Sequence, residues 1–154
     1  MRRFGDVPEK GRRYRARPGA YVILPRGDMM LVSHQEEPTP DVHLPGGGIE
    51  PGEQIIPALM RECLEETGYS ISKPRRIGAY RKFTYMPEYD LWAEKICLMY
   101  IAHPVRRLGP PLEAGHRAVW MAPEVAAETH GVDGDRFLVR QVFRYKATTG
   151  CNIL

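Results

Sequence analysis

Residues 47–69 read GGIEPGEQIIPALMRECLEETGY, and the acids in the second half of that stretch are oddly placed. The spacing predicts a helix over residues 54–67, with Gly68 as its stop, because glycine readily adopts the left-handed conformation that ends helices. Pro57 then falls in the first turn or two, where a missing N–H does least harm. At about 100° per residue, Ile55, Leu59 and Cys63 mark one flank of the apolar face. Glu62 and Glu66 fall within roughly 20° of Ile55 on that wheel, and Glu65 lies about 80° away. An ordinary amphipathic helix places its acids opposite the apolar stripe. Here Glu62 and Glu66 are in line with residues expected to face inward.

Like charges four residues apart destabilise a helix by a few tenths of a kcal/mol, and the macrodipole disfavours negative charge near the C-terminus. A hard divalent cation such as Mg²⁺ or Mn²⁺, which binds carboxylate oxygens together with water and substrate phosphates, resolves both conflicts. The competing explanation is a charged surface face on which Arg61 pairs with Glu65. The segment before the helix shifts the balance toward a site. Gly46-Gly47-Gly48 permits close backbone approach and lets amides or carbonyls point at a ligand. Glu50 and Glu53 frame Pro51-Gly52, a tight turn that delivers the chain to the helix.

Outward from this centre, Gly19 to Leu24 is an apolar, β-branched run, and Met29 to Val32 resumes it after Gly27-Asp28, which predicts a hairpin. Residues 35–42, with Pro38 and Pro40, read as a loop. Residues 75–85 and 91–102 predict two longer strands around Met86-Pro87-Glu88, and Ala118 to Met121 a short one. Pro123 to Thr129 starts a short helix. Residues 135–145 form another, whose Phe137, Leu138, Val142 and Tyr145 recur at helical spacing and so belong to the core. Strands, helix, strands and helix together give an α/β (α+β) domain with a mixed sheet packed between helices.

The chain has 154 residues, 43% apolar and 27% charged, which suits one globular domain. Its longest clean apolar stretch, Ala20 to Leu24, is far short of the roughly 20 residues needed to span a bilayer. No apolar segment follows Arg2-Arg3, so no export signal is expected. Cys63, Cys97 and Cys151 are odd in number and widely spaced, which points to a reducing cytoplasm. The net charge is +3, but residues 1–17 carry seven basic side chains against two acids, leaving the remainder slightly acidic. We expect a basic N-terminal arm over 1–17 and a single domain over 18–150. The arm is either a solvated segment or an edge strand whose charges block aggregation, or it attracts a polyanion such as a nucleotide phosphate or RNA.

The segment from Gly47 to Tyr69 resembles the Nudix box: Gly47, then Glu53, Arg61-Glu62, the apolar slot at Cys63, Glu65-Glu66, Gly68 and the apolar slot at Tyr69. Every fixed position is filled, and Cys63 and Tyr69 occupy slots more often held by aliphatic residues. His43 stands where many members have an aromatic residue before Leu-Pro-Gly-Gly. The resemblance implies an α/β/α sandwich and a nucleotide pyrophosphohydrolase, in which water attacks phosphorus in a nucleoside diphosphate linked to another group. Carried over by position, Glu62, Glu65 and Glu66 would hold Mg²⁺ or Mn²⁺ together with the carbonyl of Gly47. Glu53 and Arg61 would form a salt bridge that orients loop against helix. For the general base, some members use a box glutamate, here Glu65 or Glu66, and others a glutamate in a later loop. Glu113, seven residues before Trp120 in a Gly/Pro-rich loop, matches the second pattern, and His116 is a further candidate.

The substrate is less legible. Gly46 and Gly48 are expected to approach it. Tyr85, sixteen residues past Tyr69, stands where members acting on dinucleoside polyphosphates often carry a tyrosine. With Phe83 and Tyr89 it could offer a base a stacking surface. Nucleoside triphosphates, oxidised ones included, are equally consistent. The partner expected is therefore a nucleotide-like small molecule, with no membrane and with nucleic acid not favoured; a homodimer is common among members of the family. The alternative function is a catalytically weak domain that senses a nucleotide or RNA.

Overall fold

Two strands buried on both faces form the centre of the computed structural model, which describes residues 1–37 and 39–149 and side chains through residue 144. The expected core position of Tyr145, the loop position of Pro38, Cys151 and the expected domain end at residue 150 lie outside the described residues. In chain order the strands are β1 (Arg2–Gly5), β2 (Arg15–Arg26), β3 (Met29–Gln35), β4 (Asp41–His43) and β5 (Gly46–Gly48). Helix α1 (Ile55–Thr67) follows. Then come β6 (Tyr69–Ile71), β7 (Arg75–Met86), β8 (Leu91–Ile101), β9 (Pro104–Arg107) and β10 (His116–Met121), and last α2 (Pro123–Thr129) and α3 (Asp133–Thr149). The main sheet runs β1-β7-β8-β2-β3-β10, with β4 beside β3 and β5 beside β2, while β6 and β9 pair separately. It is mixed: β1 lies parallel to β7 and β2 to β8, and the other pairings are antiparallel.

Strand alternation sorts the core into two clusters. Ala20, Val22 and Leu24 of β2 and Tyr100 of β8 pack with Leu59 and Cys63 of α1. The intervening Ile23, Cys97, Met99 and Ile101 face the other way, onto Ala126 and Ala127 of α2 and Leu138, Val139 and Val142 of α3. The result is the expected helix–sheet–helix sandwich. No described helix is long and apolar enough to cross a membrane.

Several differences from the sequence reading have clear causes. Within residues 1–17, Arg2–Gly5 forms an edge strand, β1, at the end of the main sheet, and Phe4 packs edge-on against Tyr80 with ring centroids 5.4 Å apart. Residues 35–42 are not all loop, because Asp41–His43 pairs with β3. The Met86-Pro87-Glu88 turn is a 3₁₀ turn over Pro87–Tyr89, closed by Asp90 in the left-handed region. In α1 the buried residues are Ala58, Leu59, Cys63, Glu66 and Thr67. Their face is centred roughly 45° round the wheel from Ile55, so Ile55 lies toward its rim, 36% exposed, and Ile56 packs inward in its place.

Candidate active site

The rim position of Ile55 also orders the three acids of α1. Glu66 is nearest the buried face and 5% exposed. The side chains of Glu62 and Glu65 are 16% and 37% exposed. The wheel therefore separates three equivalent-looking carboxylates into one buried, one partly buried and one facing water.

Arg61 gathers the outer acids. Its Nε and Nη2 donate to the two carboxylate oxygens of Glu53 at 2.8 and 3.1 Å, the bidentate geometry that suits guanidinium to carboxylate. Its Nη1 reaches Glu62 at 2.9 Å and Glu65 at 3.1 Å. These contacts lower the Glu53 pKa and raise that of Arg61. The Glu53–Arg61 bridge is thus present, and so is the Arg61–Glu65 pair of the competing explanation. In this arrangement the Glu65 carboxylate is held by Arg61 and is not grouped with Glu66.

Its place is taken by Glu113. Helix α1 ends at Gly68, with φ of 74°, and a Cβ there would stand 2.0 Å from the carbonyl oxygen of Gly109. Only glycine lets the loop after β9 come so close. The loop is then tied down by two backbone bonds, Leu108 N–H to the Gly68 carbonyl at 2.8 Å and Glu113 N–H to the Glu65 carbonyl at 2.9 Å. The second satisfies a helix C-terminal carbonyl that would otherwise be unpaired. Glu113 is thereby carried to α1, and one oxygen of its carboxylate and one from each of Glu62 and Glu66 lie within 4.8 Å of one another.

The electrostatics of this group are unresolved by the protein. Burial, opposed by the Gly46 N–H and reinforced by Glu62 and Glu113, pushes the Glu66 carboxyl up to about 9. Burial also raises that of Glu62, despite Arg61. Gly46 N–H donates to Glu66 at 3.1 Å. At Gly47 a Cβ would sit 2.5 Å from a carboxylate oxygen of Glu62. The glycine bend therefore lies directly against the acids, and any side chain at Gly47 would occupy their space. Three convergent oxygen donors at a glycine bend, crowded and short of positive charge, fit a hard divalent cation. Gly48 shows no such approach, and a Cβ there would meet nothing within 4 Å.

On the other side of His43 and Gly46 lies a pocket of about 230 Å³, lined also by Tyr21, Gln35, Tyr80, Lys82, Lys95 and Asp135. Lys82 and Lys95 are direct cross-strand partners on β7 and β8. Burial, then the charge of Lys82, lowers the Lys95 pKa. Tyr80 donates its hydroxyl to Asp135 at 2.7 Å, and burial raises the Asp135 carboxyl. None of these residues stands out in the sequence. The signal was available in principle: Tyr80 and Lys82, like Lys95 and Cys97, share strand parity with core positions. Tyr85 has the opposite parity to Tyr80 and Lys82. It lies at the far end of β7, against Trp92 and hydrogen-bonded to Asp90, and does not line this pocket.

The NUDIX domain family model matches residues 13–142. The chain belongs to the NUDIX family. A protein of Bacillus subtilis (strain 168), named provisionally as an 8-oxo-dGTP diphosphatase, is 35% identical over 74 residues; the match covers 48% of this chain and 50% of that protein. The chain thus aligns with about half the length of this curated NUDIX relative. Among solved structures, a NUDIX hydrolase from Nitrosomonas europaea superposes with a TM-score of 0.67 at 23% identity, covering 87% of this chain and 90% of that one. A MutT protein from Bacillus halodurans also gives 0.67, at 21% identity, with 82% and 81% covered. These likenesses agree with the NUDIX sandwich described above.

Proposed function

We propose that this NUDIX protein is a divalent-metal-dependent nucleotide pyrophosphohydrolase whose substrate is a nucleoside triphosphate, an oxidised one included. The observation that carries this reading is the convergence of Glu62, Glu66 and Glu113 beside a pocket large enough for part of a nucleoside. Glu62 and Glu66, with the Gly47 carbonyl completing the set, would hold Mg²⁺ or Mn²⁺ and leave Glu113 beside the ion as a base. A cation held there supplies charge neutralisation for the diphosphate and polarises its phosphorus.

The chain's own residues do the rest. Glu113, on a loop anchored to α1 yet half exposed, accepts a proton from the attacking water. The water oxygen bonds to phosphorus as the bond to the bridging oxygen breaks, and the phosphate released carries away that electron pair. Arg61 clamps Glu53, Glu62 and Glu65 so that the loop and helix keep their spacing. The Gly46 N–H fixes the orientation of Glu66. The nucleoside end enters the pocket, where Lys82 and Lys95 offer donors to carbonyl oxygens on a base. The provisional name of the Bacillus relative, an 8-oxo-dGTP diphosphatase, is consistent with that chemistry.

The test is phosphate or pyrophosphate release from a nucleotide panel with Mg²⁺, for the wild type and Glu66→Gln. We expect metal-dependent turnover and a loss of kcat of about 10²–10³ in the variant, the scale for removing an electrostatic stabiliser of the transition state. Tight nucleotide binding without turnover of any panel member would instead indicate a sensor.

A further inference from the structure

Glu66 faces a second group of ligands. Strand β3 runs between β4 and β10, with Ser33 opposite His43 on one side and Ala118 on the other. Directly paired residues share a face, and His116 shares the parity of Ala118. His43, Ser33 and His116 therefore rise from the same face of three adjacent strands. The two imidazole rings meet edge to face with centroids 5.7 Å apart. One nitrogen from each ring and a carboxylate oxygen of Glu66 all lie within 4.8 Å of one another.

We propose that His43, His116 and Glu66 form a nitrogen-rich lobe of the metal centre that binds a borderline transition-metal ion such as Zn²⁺, with Glu66 shared between this lobe and the all-oxygen group of Glu62 and Glu113. The rings are held as ligands usually are. Nδ1 of His116 is hydrogen-bonded to Ser33 Oγ at 2.9 Å, and Ser33 is fully buried. Nδ1 of His43 has the Leu44 carbonyl at 3.4 Å, and its Nε2 is buried without a hydrogen-bond partner. Anchoring one ring nitrogen fixes the orientation and turns the other toward the carboxylates; Nε2 of His116 lies 3.6 Å from a Glu113 carboxylate oxygen, at the junction of the two groups.

A buried unpaired nitrogen is not sufficient by itself. His130 has one too, with its Nδ1 on the Val42 carbonyl, but it belongs to no ligand group among the described residues. What distinguishes His43 is the second ring and the carboxylate beside it. Donor type then selects the ion. Imidazole suits Zn²⁺ and other later transition-metal ions, whereas carboxylates alone suit Mg²⁺ or Mn²⁺. The inference goes beyond the hydrolytic reading, because metal binding is measured without substrate.

The experiment is Zn²⁺ binding to the full chain, by competition with a chromophoric chelator in excess Mg²⁺, with Co²⁺ absorption as the spectroscopic readout. We expect Zn²⁺ to bind despite the Mg²⁺. His43→Ala should weaken it at least about tenfold, and Ser33→Ala, which frees His116, by about 10-fold, the effect typical of lost ligand support. The visible Co²⁺ band should change in both. Should His43→Ala misfold, His43→Asn provides the same test while retaining a polar side chain. Glu62→Gln, which keeps all three proposed donors and changes only the charge beside Glu66, should weaken Zn²⁺ binding less than the His43 variants do. Zn²⁺ affinity unchanged in folded His43 variants, or lost in Glu62→Gln with those variants intact, would place the ion in the oxygen group and overturn the proposal. Absence of nucleotide turnover would leave this result unaffected.

Discussion

Two charged clusters flank the bend at Gly46, and they are unresolved in opposite senses. On the α1 side, Glu62, Glu66 and Glu113 converge, and burial raises the pKa of Glu62 and Glu66. On the α3 side, Lys82 and Lys95 stand as cross-strand neighbours, and burial lowers the pKa of Lys95. On α1 itself, Arg61 holds Glu53, Glu62 and Glu65 with one guanidinium. The contrast separates structural charge from functional charge. Charges that hold the loop to the helix find partners within the protein, whereas the clusters beside the pocket retain their excess. A substrate with a metal-bound diphosphate at one end and oxygen acceptors at the other would relieve both.

The acidic side offers the sharpest break. Glu113→Gln keeps the shape of the loop and its backbone bond to Glu65 but removes the proton acceptor. We expect kcat to fall by about 10²–10⁴, the range for general-base catalysis, with little change in KM. Measured kinetics on whichever nucleotide turns over would decide it. An equal loss from Glu65→Gln, with Glu113→Gln near wild type, would return the base to the helix.

Which side was legible in the sequence follows from the distances along the chain that each requires. The acids of α1 lie within two turns, so helical periodicity alone puts Glu62 and Glu66 in line with the apolar flank and Glu65 about 80° away, but it does not separate Glu62 from Glu66. Glu113 was reachable because its loop precedes the strand carrying Trp120. The basic side needed pairing register. Lys82 and Lys95 are thirteen residues apart and meet only because β7 and β8 pair in that register. His43 and His116 meet only because β3 separates their strands. Tyr85 stands out in the sequence by its spacing from the box, but alternation turns it away from the face bearing Tyr80 and Lys82, and only the pocket's position shows which face matters. The short strands β4 and β5 are too brief, and β5 too rich in glycine, to show any period of their own.

The basic side can be probed against that same alternation. Lys95→Met removes a charged donor while filling similar volume. Loss of a hydrogen bond from a charged group costs about 1.5–3 kcal/mol, so KM should rise roughly 10- to 100-fold with kcat largely kept. Tyr85→Ala serves as the contrast and should stay within about twofold, as expected for a side chain outside the pocket. The reverse ranking in steady-state kinetics would move the nucleoside from the pocket to the aromatic end of β7.

The smallest effect concerns stability alone and comes from Asp135, at the pocket wall. Burial raises its carboxyl above the ordinary 3.8, even though Tyr80 donates a hydrogen bond to it. A raised acid binds its proton more tightly folded than unfolded, so the fold is favoured at low pH. It loses that advantage as pH climbs from the unfolded value through the folded one. Asp135→Asn keeps an oxygen for the Tyr80 hydroxyl and removes the titration. Its melting temperature relative to wild type should therefore rise between pH 4 and neutrality, by about 2–4 °C for each kcal/mol relieved in a domain of this size. Parallel melting curves for the two proteins across that range would mean that the lysines opposite already keep Asp135 ionised. The excess positive charge on that side would then be smaller than the contrast between the two clusters requires.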